Sequence, residues 1–153
     1  MLDSLSVLPF IPAGRLLDVG AGAGLPGIPL AIARPSLDVT LVDSAGKKVR
    51  FMGHVRRELQ LENIHPRHER VQSLEVGERF DAVISRAFSD LSVFAEAVRH
   101  LCGNGVRMLA MKGRHPDKEL QALPRWVEVV SVEKLAVPGL HEQRHLVIMS
   151  AKP

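Results

Sequence analysis

The segment Asp18-Val-Gly-Ala-Gly-Ala-Gly24 restricts the fold more than any other part of the chain. The apolar run Arg15 to Val19 is too short for a helix and reads as a buried strand. Gly20, Gly22 and Gly24 follow it with a backbone that turns sharply and lets a ligand approach closely. Gly27 to Ala33 reads as a helix that stops before Pro35, and Leu37 to Val42 as a second strand ending on Asp43. A strand, a glycine turn, a helix and a strand closed by an acid begin a doubly wound sheet. In such sheets ligands lie beyond the carboxyl ends of the strands, where the strand order reverses.

The alternation continues to the end of the chain. Ser44 is a candidate cap for a helix from Ala45 to about Leu61, with Val49, Met52, Val55 and Leu59 at inward spacing. A weak strand at His65 to Arg70 precedes a clear one at Phe80 to Ser85. Leu91 to Leu101 reads as a helix ended near Gly103, Arg107 to Met111 as a strand, and Pro116 to Leu123 as a short helix. Trp126 to Leu135 and His145 to Ser150 are strands with no helix between them, so they should pair antiparallel. The pattern predicts an α/β Rossmann-like fold. Its seven-stranded sheet is mostly parallel, with an antiparallel edge and helices on both faces. Without a repeat, linker or low-complexity stretch, residues 1–153 read as one domain.

Composition removes several classes of function. Aromatics are 4% of the chain, with no Tyr, so a stacking platform for bases is not expected. The single cysteine, Cys102, excludes an internal disulfide and cysteine-rich zinc sites, and its apolar surroundings predict a buried thiol. His65 and His68 lack metal-like partners, so no metal is expected. No basic, apolar leader and no membrane-length run is present, which points to the cytoplasm. The net charge of +3 fits either a polyanionic partner such as RNA or an arginine-rich surface. The same choice applies to Lys47, Lys48, Arg50, Arg56 and Arg57 on one helix.

Two adenosine cofactors suit the glycine turn. Asp43 can accept hydrogen bonds from ribose hydroxyls, and Gly22-Ala-Gly24-Leu-Pro-Gly27 even matches the dinucleotide pattern. A dinucleotide, however, needs backbone N–H donors at the helix start for its pyrophosphate. Pro26 and Pro29 have none to offer. S-adenosylmethionine carries no phosphate and is the better match. An NAD-dependent oxidoreductase and a non-catalytic module with cofactor or RNA affinity are the competing readings. Asp18 suits any of three roles, namely orienting the loop, facing the methionine end of the cofactor, or a structural one.

The segment Leu17 to Leu30, with its Leu-Pro-Gly-Ile-Pro sequence, resembles the signature of the glucose-inhibited division protein B family. The likeness recurs in Leu41-Val-Asp-Ser44, Lys47-Lys-Val-Arg-Phe51, Leu61-Glu-Asn-Ile64, Phe80-Asp-Ala-Val-Ile-Ser-Arg-Ala-Phe88, Met111-Lys-Gly113 and Arg144-His-Leu-Val147. It implies a fold of the class I methyltransferase type and methylation by S-adenosylmethionine of N7 of a guanine in 16S (small-subunit) ribosomal RNA, free or in the 30S subunit; the chain is expected to act as a monomer. It also implies cofactor contacts at Gly20, Leu25, Val71, Gln72 and Arg86, beside Gly22, Gly24 and Asp43. Family members carry a helical N-terminal segment; Leu2 to Leu5 resembles its end, so the resemblance implies that this segment is missing here. Gln72 stands where an acid is common.

Guanine N7 has a free lone pair, so its methylation needs alignment more than a base. No Asn-Pro-Pro-Tyr follows Ser85, and Cys102 falls at the end of the predicted helix, so amino-group and cytosine-C5 chemistry lack their equipment. Arg86 and Lys112 are the candidate catalytic residues. Arg86, after the fourth strand, suits donation to guanine O6; its alternative is an ion pair with Asp43 or Asp90. Lys112, Arg114 and His115 follow the fifth strand, where they can grip phosphates. Arg144 and His145 are placed to line the same mouth or to close a strand edge.

Overall fold

The computed structural model describes residues 1–103 and 105–153. Seven strands form one sheet: β1 Arg15–Val19, β2 Asp38–Asp43, β3 Ile64–His68, β4 Ala82–Ser85, β5 Arg107–Lys112, β6 Val127–Lys134 and β7 His145–Ala151. Their order is β3-β2-β1-β4-β5-β7-β6. All neighbours are parallel except β7, which runs antiparallel to both β5 and β6. The antiparallel strand is therefore one place in from the edge, and β6 is the edge. A register shift between Val129 and Ser131 bends that outer pair.

The helices are α1 Leu2–Leu5, α2 Gly27–Ala33, α3 Gly46–Glu58, α4 Leu91–Val98 and α5 Asp117–Gln121. Right-handed crossovers move outward from β1 through β2 to β3, then restart at β4 in the opposite direction. The reversal puts α2 and α3 on one face and α4 on the other, and each face has its own core. Leu16, Leu30, Leu41 and Met52 pack in one. Leu17, Val83, Phe94 and Met108 pack in the other. Neighbouring Leu16 and Leu17 point to opposite cores because side chains alternate along a strand.

Several predicted boundaries move. The third helix ends at Glu58, and Gln60 takes a left-handed φ of 51° before Leu61. Met52 is fully buried, but Leu59, just past the end of the helix, is 54% exposed. Ser44 does not cap α3; Asp43 Oδ1 accepts from the Ala45 N–H at 2.8 Å instead. The fourth helix breaks at Val98 into a 3-10 turn, Arg99–Leu101, and Cys102 follows that turn. Burial pushes the Cys102 thiol up to about 12, which keeps it protonated and inert at neutral pH.

The strand order reverses between β1 and β4. A crevice therefore opens between the loop after Val19 and the loop after Ser85. Ser85, buried behind this opening, ties the two loops together: its Oγ donates to the Val19 carbonyl at 2.8 Å and accepts from the Ala87 N–H at 3.0 Å.

Candidate active site

The glycine turn is held from below by backbone. The Gly20 and Ala21 N–H groups both donate to the Val42 carbonyl, at 3.0 and 3.1 Å. Gly20 has φ +65°, and a Cβ on it would stand 2.7 Å from the Ala87 Cβ. Glycine is thus needed twice here: for the left-handed backbone and for the close approach of the loop after β4.

Asp43 closes the turn from the side. Its Oδ2 accepts from the Gly22 N–H at 2.9 Å, while Oδ1 holds Ala45. Two backbone donors hold the carboxylate aimed along the crevice. A carboxylate has about four lone-pair positions, so capacity remains for a ribose diol.

Gly20, Asp43, Val71 and Gln72 line one cavity of about 180 Å³, together with Ser44 and Phe88. Val71 is buried and Phe88 half-buried, which supplies apolar walls for a flat base. Val71 sits on a 3-10 turn, Val71–Ser73, whose first carbonyl meets the His100 ring at 3.1 Å. Phe88 stacks at a tilt on Phe94, with ring centroids 5.4 Å apart. The Phe88 contribution went unnoticed in the sequence, although it closes the Ile-Ser-Arg-Ala-Phe run. A nucleoside fits this donor set: an acid for the diol, a side-chain-free wall at Gly20, and apolar faces opposite.

The helix start is closed to a pyrophosphate. The Gly27 N–H donates to Asp18 Oδ2 at 2.8 Å and the Ile28 N–H to the Gly24 carbonyl at 2.7 Å. With Pro26 and Pro29 lacking donors, the first turn of α2 has none left for a phosphate. Of the three roles open to Asp18, the structure selects a structural one. The residue is fully buried and caps α2 behind the loop, away from the crevice. Burial raises its carboxyl well above the usual carboxylate range, against the opposing pull of the Gly27 N–H and Arg86. Its Oδ1 has no partner among the described residues.

Four of the expected cofactor contacts lie elsewhere: Gly22, Gly24, Leu25 and Arg86, the last of which lines a neighbouring cavity. Gly22 and Gly24 shape the turn and do not line the cavity; both have positive φ, and Gly22 reaches the site through Asp43. Leu25 faces an apolar groove of about 320 Å³ between α2 and α3, beside Ile28, Ile32 and Phe51. Its direction follows from the turn, which rolls the chain over onto the α2 face after Gly24.

Arg86 and Lys112 line a second cavity, of about 190 Å³, with Met111, Arg144 and His145. The Arg86 guanidinium pairs with neither Asp43 nor Asp90. It lies 3.8 Å from Asp3 Oδ2 on α1. Lys112 is only 11% exposed; its Nζ stands 2.7 Å from Glu119 Oε1 and donates to the Phe88 carbonyl at 3.2 Å. The same Glu119 oxygen accepts the Leu91 N–H at 3.0 Å. Lys112 therefore braces the loop from Arg86 to Asp90 and is not presented as a free cation to phosphates. Arg114 and His115 are exposed, and His115 meets Asp117. His145 is buried, with Nδ1 2.8 Å from the Gly113 carbonyl. The basic residues of α3 are all exposed.

Comparison with known proteins agrees with this architecture. A family model described as rRNA small subunit methyltransferase G matches residues 1–147. The ribosomal RNA small subunit methyltransferase G of Nitrosomonas eutropha is 51% identical over 152 residues, covering 97% of this chain and 71% of its own length. The protein of the same name from Pseudomonas aeruginosa is 51% identical over 150 residues, covering 97% and 70%. Among solved structures, TrmN from Thermus thermophilus superposes with a TM-score of 0.74 at 16% identity, over 97% of this chain and 48% of its own. The S-adenosylmethionine-dependent methyltransferase SibL does so with a TM-score of 0.72 at 21% identity, over 99% and 55%. These likenesses establish the class I methyltransferase fold.

Proposed function

The chain belongs to the rRNA small subunit methyltransferase G family, and from that premise we propose that residues 1–153 act as one domain transferring a methyl group to N7 of a guanine in small-subunit ribosomal RNA. S-adenosylmethionine, when bound, supplies that methyl group as an electrophile on a sulfonium centre. The observation that carries the assignment of the cofactor site is Asp43, aimed into the crevice by Gly22 and Ala45 beside a wall without a side chain at Gly20.

Asp43 binds the ribose diol through its remaining lone pairs, and Val71 and Phe88 enclose the adenine. Gln72 is exposed at the rim and touches the base edge. Arg86 holds guanine O6 in the neighbouring cavity, which fixes the base without touching its N7. Lys112 keeps Arg86 and Phe88 in register through its contacts with the Phe88 carbonyl and Glu119. No side chain has to remove a proton, since the N7 lone pair is free; alignment in a closed site is the main contribution of the protein. The substrate is rRNA or the assembled subunit, met by a monomer in the cytoplasm; no helix among the described residues is long and apolar enough to cross a membrane.

Two measurements test the reading. Calorimetry should show binding of S-adenosylhomocysteine and none of NAD; the reverse result refutes the cofactor assignment. Mass spectrometry of under-modified small subunits, after incubation with the protein and S-adenosylmethionine, should show one added methyl on a guanine. A methyl on another base refutes the target.

A further inference from the structure

Asp3 is a charged group in the substrate cavity for which the reaction itself has no use. Its side chain is 16% exposed, and burying a carboxylate costs stability unless it is matched. Oδ1 accepts the Ser4 N–H at 3.0 Å. Oδ2 faces the cavity that also holds Arg86. At 3.8 Å the Asp3–Arg86 contact is too long for a hydrogen bond. Both groups therefore keep hydrogen-bonding capacity for a third party between or beside them.

A guanidinium donor beside a carboxylate acceptor has a definite complement. Guanine presents O6, an acceptor, next to N1–H and the exocyclic amine, both donors. Adenine presents the reverse order, an amine next to an unprotonated N1. We propose that Asp3 is the specificity-determining partner of Arg86: Arg86 donates to O6, and Asp3 Oδ2 accepts from N1–H and the exocyclic amine. The inference rests on the guanine-N7 reading of the site. In guanine, the C6–O6 group separates the N1 side from the N7 side. A base held by O6 and N1 thus turns N7 away from Asp3 with its lone pair uncommitted. Adenine in the same place meets like against like at both positions, an arrangement that a hydrogen-bonding site rejects strongly.

The test is a cycle between one side chain and one group of the base. Small-subunit particles are reconstituted with rRNA carrying guanosine or inosine at the position where the methyl is found. Inosine keeps O6, N7 and N1–H and lacks the exocyclic amine. The full chain should prefer guanosine in kcat/KM by about tenfold, the effect of one hydrogen bond to a charged acceptor. Asp3→Ala should lose about 10- to 100-fold on guanosine and bring the guanosine-to-inosine ratio close to one. Asp3→Asn keeps the Ser4 contact through its amide oxygen and should equalise the two bases as well. A purely structural contribution of Asp3 lowers both substrates together, so an unchanged ratio in Asp3→Asn overturns the proposal. Affinity for S-adenosylhomocysteine should stay at the wild-type level in both variants, because Asp3 does not line the cofactor cavity. A wild-type chain that methylates no guanosine refutes the guanine-N7 reading itself, an outcome distinct from an active enzyme with an unmoved ratio.

Discussion

Gly20→Ala separates the two demands that the structure places on this position. The backbone demand is the φ of +65°, which costs an L-residue about 1–2 kcal/mol. The packing demand is the 2.7 Å between the added Cβ and the Ala87 Cβ. Carbon atoms prefer about 3.5–4.0 Å, so Ala87 must retreat by about 1 Å. Overpacking of that kind costs about 1–3 kcal/mol. Together the two terms predict a loss of about 2–5 kcal/mol, or a Tm lower by roughly 5–15 °C for a chain of this size. Gly22 is the control. It has φ +57°, yet the nearest atom to an added Cβ is the Gly20 carbonyl oxygen at 3.9 Å. Gly22→Ala therefore carries the backbone cost alone, about 1–2 kcal/mol. The packing term also predicts a functional difference, because Ala87 lies between Arg86 and Phe88. Displacing it should weaken S-adenosylhomocysteine by about tenfold or more in Gly20→Ala, equivalent to about 1.4 kcal/mol, and far less in Gly22→Ala. Thermal melting and calorimetry on the two purified variants decide the matter. Equal losses in both, or a larger loss in Gly22→Ala, would refute the claim that the loop after β4 presses on Gly20.

Two further perturbations probe the supports of the site. Burial raises the Asp18 carboxyl in the folded chain, so the native state holds that proton more tightly than the unfolded chain does. The stability linked to Asp18 therefore falls as pH rises from the ordinary carboxylate range through the raised value. Asp18→Asn keeps an oxygen for Gly27 and removes that slope; its Tm relative to wild type should climb as the pH rises above the ordinary carboxylate range, and a flat difference sinks the idea. Lys112→Met leaves Glu119 without its cation and frees the Phe88 carbonyl, a loss of about 1–3 kcal/mol. It should weaken S-adenosylhomocysteine binding before any RNA is added, and Lys112→Met with Glu119→Gln should recover part of the stability. A variant that binds the homocysteine normally and fails only on RNA shows that Lys112 contacts the substrate directly.

Much of the site was legible because local rules governed it. Gly20 and Asp43 stand at strand ends, and an apolar run closed by glycine or acid marks such an end without knowledge of the rest. Val71, Gln72 and Arg86 came with the family resemblance, and the structure places the first two beside Asp43. Leu25 did not follow, since its direction depends on how the turn rolls after Gly24 and not on its neighbours in the chain. Lys112 read as a free cation because Glu119 and Phe88 lie 7 and 24 residues away in sequence, and nothing local links them. Asp3 gave no signal of chemistry at all.

The layers, the strand count, the switch point and the class of cofactor could all be read along the chain. Each of these depends on periodicity or on a missing N–H, properties that a residue carries wherever it is placed. Which charges meet was settled by packing alone. The fold seated Asp18 under α2 and not in the crevice, gave Lys112 to Glu119, and brought Asp3 to Arg86. Those outcomes depend on how loops and elements pack in space, which their order along the chain does not set. Electrostatic and hydrogen-bond energies change over a few ångströms, so only the packed fold can fix them.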